Sequence, residues 1–416
     1  MKAPPSLLLL PFLAAAARAD VLVVDDDDPS ADHAQIAAAV QAASDGDAIL
    51  VRGGVYDPFT VQGKGLAIFA DLGHDPVVRS VGQAGAVVTI AGLAADQLVV
   101  VRGLRVADSG SAPGGIRVAD CLGPVWLEDV SVEIQLFTTA TVPALSIADC
   151  ASVSVVRSAF EAPPHSSQSL FANAGPGLQA ARSTVHLVDC QLQGAEGEEA
   201  NPFGGGLRGG HGAVCEDGTL YAVATSFTGG RGGDGSGEVI LTSPGGDGGD
   251  GLFCFADAEA FLVSCTLTPG EGGVAPLAGT DGSPGAPSTV LDTSFVLALP
   301  AETRGFAASA PSPENGTSLF SYQGEPGETL LALDSPGPAP VPVPLVLGVL
   351  FPGPPVAATP GGIVPAGGQL DVQTNVGAVG AGASHLVRIV QPAFLGPAGG
   401  VVLGTPSALL VLDDGT

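Results

Sequence analysis

Positive charge and aromatic rings are both scarce in this chain. Lysine occurs only at Lys2 and Lys64, and 14 basic residues face 42 acidic ones, a formal net charge of −28. Nucleic acids are held by Lys and Arg that displace counterions, so this balance argues against a nucleic-acid partner. The only tryptophan and tyrosines are Trp126, Tyr56, Tyr221 and Tyr322, which leaves few rings for stacking on sugars. Beyond the N-terminus no apolar run is long enough to span a bilayer; the stretch 341–351 is too short and carries Pro342 and Pro344. Glycine, by contrast, is abundant at 61 residues and proline at 35, close to the level of low-complexity chains. An apolar content of 45% nevertheless supports a packed core.

Residues 1–19 read as a secretory signal. Lys2 supplies the positive start, Leu7 to Ala17 the apolar stretch, and Ala17-Arg18-Ala19 the small-x-small cleavage site. Cleavage there starts the mature chain at Asp20 and takes the net charge from −28 to −30. The expected location is secreted or at the cell surface.

One phrase keeps returning. Leu98–Val106, Pro124–Val132, Ser152–Phe160, Thr184–Leu192, Thr219–Phe227, Glu259–Leu267 and Pro287–Phe295 share an apolar/polar rhythm, with last residues 26, 28, 32, 35, 40 and 28 apart. Such a period marks a solenoid, in which each repeat buries its apolar face only by stacking on the next. A second phrase precedes the first in several repeats: Gly115-Ile-Arg-Val, Ala144-Leu-Ser-Ile, Gly177-Leu-Gln-Ala, Gly212-Ala-Val-Cys and Gly251-Leu-Phe-Cys. The lengthening repeats place extra loops between 160 and 290, and insertions gathered on one face of a solenoid are often its binding face.

Ahead of the repeats, Ala34 to Ala43 predicts a short helix with Ile36 and Val40 on one face, suited to capping the first coil. Asp45-Gly46-Asp47 turns into a strand at 48–51. Here Gln35 to Val51, then Gly54-Val-Tyr56 and Gly63-Lys-Gly-Leu66, resemble the right-handed parallel β-helix, or pectin-lyase-like, superfamily of bacterial exported proteins. The resemblance covers 20–300 and implies an all-β solenoid of about eight or nine coils, roughly 40 Å long at about 4.8 Å per coil. It concerns the fold, which hosts many activities.

Six cysteines in an exported chain raise the question of disulfides. Cys215 and Cys254 sit fourth from equivalent glycines, and Cys121 and Cys150 each close an Ala-Asp-Cys phrase. Stacked coils bring such pairs within the roughly 4.4–6.8 Å Cα separation that a disulfide needs. Cys190 and Cys265 match at two coils' distance and should not meet. The alternative is a ladder of buried free thiols.

Near residue 300 the texture changes. Residues 301–329 read as a polar, turn-rich linker, and 330–416 as a small all-β, sandwich-like module with strands at 368–372, 385–390 and 407–412. Val390 to Leu395 with Leu403 to Leu409 resembles a C-terminal module of exported bacterial proteins, which implies packing on the last coil or attachment to the cell surface.

Chemistry is hardest to place. Gly245 to Phe253 matches the G-G-x-G-x-D-x-U-x calcium nonapeptide, and Gly229 to Asp234 matches its first six positions. Asp234, Asp247 and Asp250 are therefore the metal candidates, with glycine turns offering carbonyls to calcium. This resembles repeat-in-toxin proteins, although their tandem spacing is missing; flexible loops are the competing reading. Gly210-His211-Gly212 resembles part of the polygalacturonase site, without that family's other phrases. Glu196, Glu198, Glu199 and Asp217 add to the acids from which a hydrolase pair could come. Arg208 and Arg231 stand near Asp234, Asp247 and Asp250, as a pectate-lyase-like arginine base beside calcium requires. Arg208, His211 and Arg231 are thus the catalytic candidates. With no assembled catalytic set, the expectation is a non-catalytic protein for surface adhesion or glycan binding through the long-loop face. A polysaccharide lyase or glycoside hydrolase is the alternative, and a structural envelope protein the third.

Overall fold

The computed structural model describes residues 19–413, apart from 81–84, 109–112, 135–140, 165–173, 200–204, 237–242, 276–278, 300–302, 337, 344–347, 353, 380–382 and 398. The signal-like residues 1–18 lie outside it, and no described helix is long and apolar enough to cross a membrane.

The repeats form a parallel β-helix with three walls. In each coil the chain passes through wall 1, turns a corner into wall 2, turns again into wall 3, and returns by a loop. Among the described residues wall 2 has ten strands, from Val21–Val24 to Phe295–Leu299. Wall 1 has eight, from Phe59–Gln62 to Ser288–Val290, and wall 3 has eight, from Val55–Tyr56 to Thr266–Thr268. The first six recurring phrases are the wall 2 and wall 3 strands of their coils and the phrases before them are wall 1; the seventh, Pro287–Phe295, is instead a wall 1 strand leading into wall 2. Stacking is in register, so Leu145, Leu178, Ala213 and Leu252 form one inward column. The predicted cap helix spans Ile36–Ala42 and buries Ile36, Ala39 and Val40 over the first coil.

The corners explain why aspartate recurs in the repeats. Asp120, Asp149, Arg182 and Asp217 occupy the wall 1 to wall 2 corner, and Asp129, Arg157, Asp189 and Ala224 the next one, all with φ between 46° and 56°. Asp tolerates this left-handed conformation better than most residues, so much of the acidity belongs to turns. The residue after each corner points inward. There hydroxyls alternate with thiols: Ser158 Oγ accepts the Val130 N–H at 3.1 Å and Ser183 Oγ the Cys150 N–H at 3.0 Å.

All six cysteines are free thiols, five of them buried. Cys215 and Cys254 are register partners on neighbouring strands. Thr225 lies in the coil between Cys190 and Cys265, its hydroxyl accepting the Cys190 N–H. Burial pushes the Cys190 thiol up to about 12. The stacking brings Cys215 opposite Cys254, and Cys121 next to Cys150, on neighbouring coils as the spacing predicts.

Residues 301–329 are not a linker. Gly305–Ala308 and Thr317–Gln323 join Gln369–Asn375 in a three-stranded antiparallel sheet. Ser312–Pro313 pairs with Ser407–Leu412, which pairs in turn with His385–Leu395 and so leads to Thr329–Ser335 and Ala357–Ile363. The module therefore begins near 304. These strands looked polar because they are half-buried: in Thr317–Gln323 only Ser318, Phe320 and Tyr322 face the core.

The module does not sit on the last coil. It lies along the outer face of wall 2, where Phe351, Ile389, Ala408 and Leu410 pack against Leu50, Phe69, Trp126, Val156 and Val188. Its other face packs on the three-stranded sheet through Phe306, Tyr322, Leu330 and Phe394. Ala48–Val51, Val125–Glu128 and Val153–Val156 are consequently buried at every position. The uncovered wall 1 strands Leu145–Ala148 and Ala213–Glu216 alternate instead.

Glu128 pins the two parts together. It is fully buried and accepts hydrogen bonds from Ser407 Oγ at 2.6 Å, the Ala408 N–H at 2.6 Å and the Trp126 indole at 2.8 Å. Arg157 pairs with it, and Arg102 Nε lies 3.3 Å away. Arg157 also donates to the Phe306 and Pro406 carbonyls, and Arg102 to that of Ala308. Each ion is thereby desolvated but partnered, as a buried charge requires.

Candidate functional site

The loops from wall 3 back to wall 1 are the feature that most departs from a plain solenoid. Their glycine-rich parts lack strand structure, yet they are ordered by hydrogen bonds that repeat every third residue. Among the described residues six extended segments stack: 194–198, 206–212, 229–235, 244–251, 268–274 and 280–287. One ladder runs from the Gly285 N–H to the Gly270 carbonyl, then Gly270 to Gly249, Gly249 to Gly230, Gly230 to Gly210 and Gly210 to Ala195, at 2.7–2.9 Å. A second, three residues away, runs Gly282 to Gly273 to Gly246 to Gly233 to Leu207 to Glu198. In these ladders successive segments run in opposite directions.

A third set of bonds joins every second segment in parallel. The N–H groups of Gly209 and Gly212 donate to Asp247 and Asp250, and those of Gly245, Gly248 and Gly251 to Thr280, Ser283 and Ala286. The result is a two-layer slab of chains with a period of three, the period of the polyproline II conformation. Glycine is obligatory where the layers meet: a Cβ on Gly230 or Gly249 would overlap the carbonyl oxygen of Ala195 or Gly210. The loops read from sequence as flexible or calcium-binding are a packed slab.

Side chains remain only on the outer faces, and the residues nominated from sequence are among them. Asp247 Oδ1 accepts the Ser283 N–H at 2.7 Å, Asp250 Oδ1 the Ala286 N–H at 2.7 Å, and Asp234 Oδ1 the Val274 N–H at 2.8 Å. Each aspartate thus satisfies an outward N–H of the next coil, which the interlayer ladders leave unpaired. His211 plays the same part, its Nδ1 accepting the Asp250 N–H at 3.1 Å. Hydrogen bonding from Val274, with Arg231 beside it, holds the Asp234 carboxyl below its usual range.

The structure brings Arg208, His211 and Asp250 together. Arg208 Nη2 lies 3.3 Å and His211 Nδ1 3.4 Å from Asp250 Oδ2, and the His211 ring stacks on Phe253 with centroids 4.9 Å apart. Burial and then the Arg208 charge push His211 down to about 4, against the pull of Asp250. At neutral pH its Nδ1 is therefore an occupied acceptor, and Nε2 carries the proton. Arg231 is not in this cluster; it pairs with Asp234. Among the described residues no three His, Cys, Asp or Glu side chains converge to hold a metal. A calcium ion at Asp234, Asp247 or Asp250 would have to share carboxylates already engaged with N–H groups.

A second concavity, missed from sequence, opens between the solenoid and the module. It encloses about 500 Å³ and is lined by Asp189, Arg304, Gln323, Glu325, Gln369 and Thr405, with backbone from neighbouring glycines. In its floor the Arg304 guanidinium forks onto the Glu328 carboxylate at 2.8–3.2 Å, both side chains nearly fully buried. Only long-range packing creates this cleft, so no local motif could have signalled it.

No protein-family model matches this chain, and no curated protein matches its sequence. The function therefore has to be argued from the geometry above.

Proposed function

We propose that this is an exported, non-catalytic β-helix protein of the pectin-lyase-like type that binds glycans or cell-surface components through the glycine slab. The observation that carries the reading is the engagement of the six side chains nominated along the slab. Asp234, Asp247, Asp250 and His211 are held by backbone N–H groups, and Arg208 and Arg231 by carboxylates. Groups fixed in this way repeat about every 9 Å along a segment, three residues of about 3.1 Å. Such a surface suits recognition of a repeating polymer. The signal-like N-terminus and the strongly acidic surface fit work outside the cell, with calcium as a bridge to any acidic polymer.

A polysaccharide lyase or hydrolase is the second reading, favoured by the convergence of Arg208, His211 and Asp250. The deciding experiment passes residues 20–416 over immobilised acidic and neutral polysaccharides, with calcium and with chelator. Retention without new reducing ends or unsaturated uronate absorbance is the expected result. Turnover that disappears in Asp250→Asn would replace it with the enzyme reading. Neither retention nor turnover would leave a structural envelope role.

A further inference from the structure

The two ends of the solenoid are finished differently. The first coil is closed by the helix Ile36–Ala42. At the other end the strands Phe295–Leu299, Ser288–Val290 and Thr266–Thr268 are the outermost of walls 2, 1 and 3, each paired on one side only. Cys265, Leu267 and Val296 pack against the core from this end but are only partly buried. Val290, Leu291, Phe295 and Leu297 are 39–47% exposed. The strands at 288–290 and 295–299 hold no charged residue in a chain of net charge −28.

The exposed face continues an interface already described. Wall 2 is fully buried under the module from Val125–Glu128 to Val153–Val156, and then alternates in Thr219–Val223 and Glu259–Val263. Tyr221 and Val223 still pack against the module cluster. Beyond them Tyr221 stacks on Phe261 at 5.0 Å, and Phe261 meets Phe295 edge-on at 5.3 Å. An apolar strip that the module covers thus runs uncovered to the open end. An unpaired, uncharged strand edge beside such a strip is a template for further strand pairing.

We propose that this end docks on the same end of a second copy of the chain. A two-fold axis through Leu297 sets Phe295–Leu299 antiparallel to its counterpart. This contact is isologous and closes, so it yields a dimer rather than a filament. The helix cap prevents the head-to-tail alternative. The occupant is a second copy because Phe295–Leu299, uncharged and beside the same apolar strip in both chains, is its own complement under this operation, and wall 2 becomes continuous through the pair. Repulsion between two acidic chains opposes the contact and is screened by salt, so the dimer strengthens as salt is raised.

The test is the molar mass of residues 20–416 by light scattering, in low and moderate salt. Twice the monomer mass is expected, reverting to one in Leu297→Lys and unchanged in Leu122→Lys, a control at another exposed leucine. Because a lysine substitution can disturb the last coil, Leu297→Cys supplies a second readout. Directly opposed residues in an antiparallel pair lie about 4.5–5.5 Å apart, within disulfide range, so oxidation should link two Leu297→Cys chains. Leu122→Cys should not cross-link. A wild type that is monomeric at tens of micromolar in both salts, or a dimer that survives Leu297→Lys without cross-linking through Leu297→Cys, overturns the proposal.

Discussion

Two regions of this protein stack layers on the solenoid by opposite means. Along wall 2, the module and the β-helix interdigitate large side chains, Trp126 against Phe351 with ring centroids 5.6 Å apart, around one buried carboxylate. In the slab the layers meet through backbone hydrogen bonds, with glycine at most interlayer contacts and little apolar burial. The first draws on the hydrophobic effect and tolerates modest repacking. The second gains little from apolar area but admits no Cβ. One interface should therefore be sensitive to lost atoms and charges, the other to added ones.

Glu128→Ala offers the largest break in this comparison. It leaves Arg102 and Arg157 with Asp129 as their one carboxylate partner and removes the acceptor for the Trp126 indole, the Ser407 hydroxyl and the Ala408 N–H, so a loss of about 3–5 kcal/mol is expected from the three buried donors left unmet. Thermal unfolding and proteolytic release of residues 304–416 would measure it, and the slab should be unaffected.

Acid should act next, and on the same interface. His186 is stacked on Tyr221 and edge-on to Phe351, and burial pushes it down to about 4. Its folded value lies below the unfolded one, so the unfolded chain takes up the proton first. Stability is full above about pH 6.5 and declines as pH falls toward 4, by on the order of 3 kcal/mol. His186→Phe should remove that part of the acid slope, read from unfolding at a series of pH values.

Gly249→Ala sharpens the contrast from the other side. A single methyl against the Gly210 carbonyl should cost about 1–3 kcal/mol, seen as faster amide exchange across 206–285 with the wall strands still protected. The reverse change in the module, Ala408→Gly, should leave the slab's exchange unaltered. Smallest is Arg182→Ala. Its pairing with Asp149 at 2.7 Å is half exposed, and less than about 1 kcal/mol should be lost.

Much of this was legible along the chain because parallel coils repeat in register. The wall strands through residue 268, the cap helix, the wall 1 phrases and the strand at 407–412 stand where spacing and alternation put them, whereas Pro287–Phe295, aligned with the wall 2 phrases, is wall 1 leading into wall 2. The unbroken apolar run at Ala48–Val51 even held a signal of double burial. No partner for that run is visible locally, so the sequence leaves the module between packing on the last coil and attachment to the cell surface. Thr317–Gln323 reads as linker because half-burial in a sandwich leaves alternate polar residues on display. The slab had its own signal, a G-G-x period of three at Gly229–Asp234 and Gly245–Asp250. That period fits a turn-forming metal motif as well as a packed extended chain. Nothing local distinguishes them, since the partners of each glycine lie one or two coils away.

The amino-acid sequence by itself determined the coil, since inward alternation, left-handed corner aspartates and capping residues are all short-range demands of backbone geometry and burial. Tertiary structure alone decided that Glu128 joins two parts of the chain some 280 residues apart. It also decided that Asp250 serves an N–H 36 positions away, and that Arg208 and His211 meet at it. A carboxylate reads the same in sequence whether it turns a corner, caps a neighbouring strand or faces solvent. Its chemistry is set by which groups long-range packing brings within hydrogen-bonding distance.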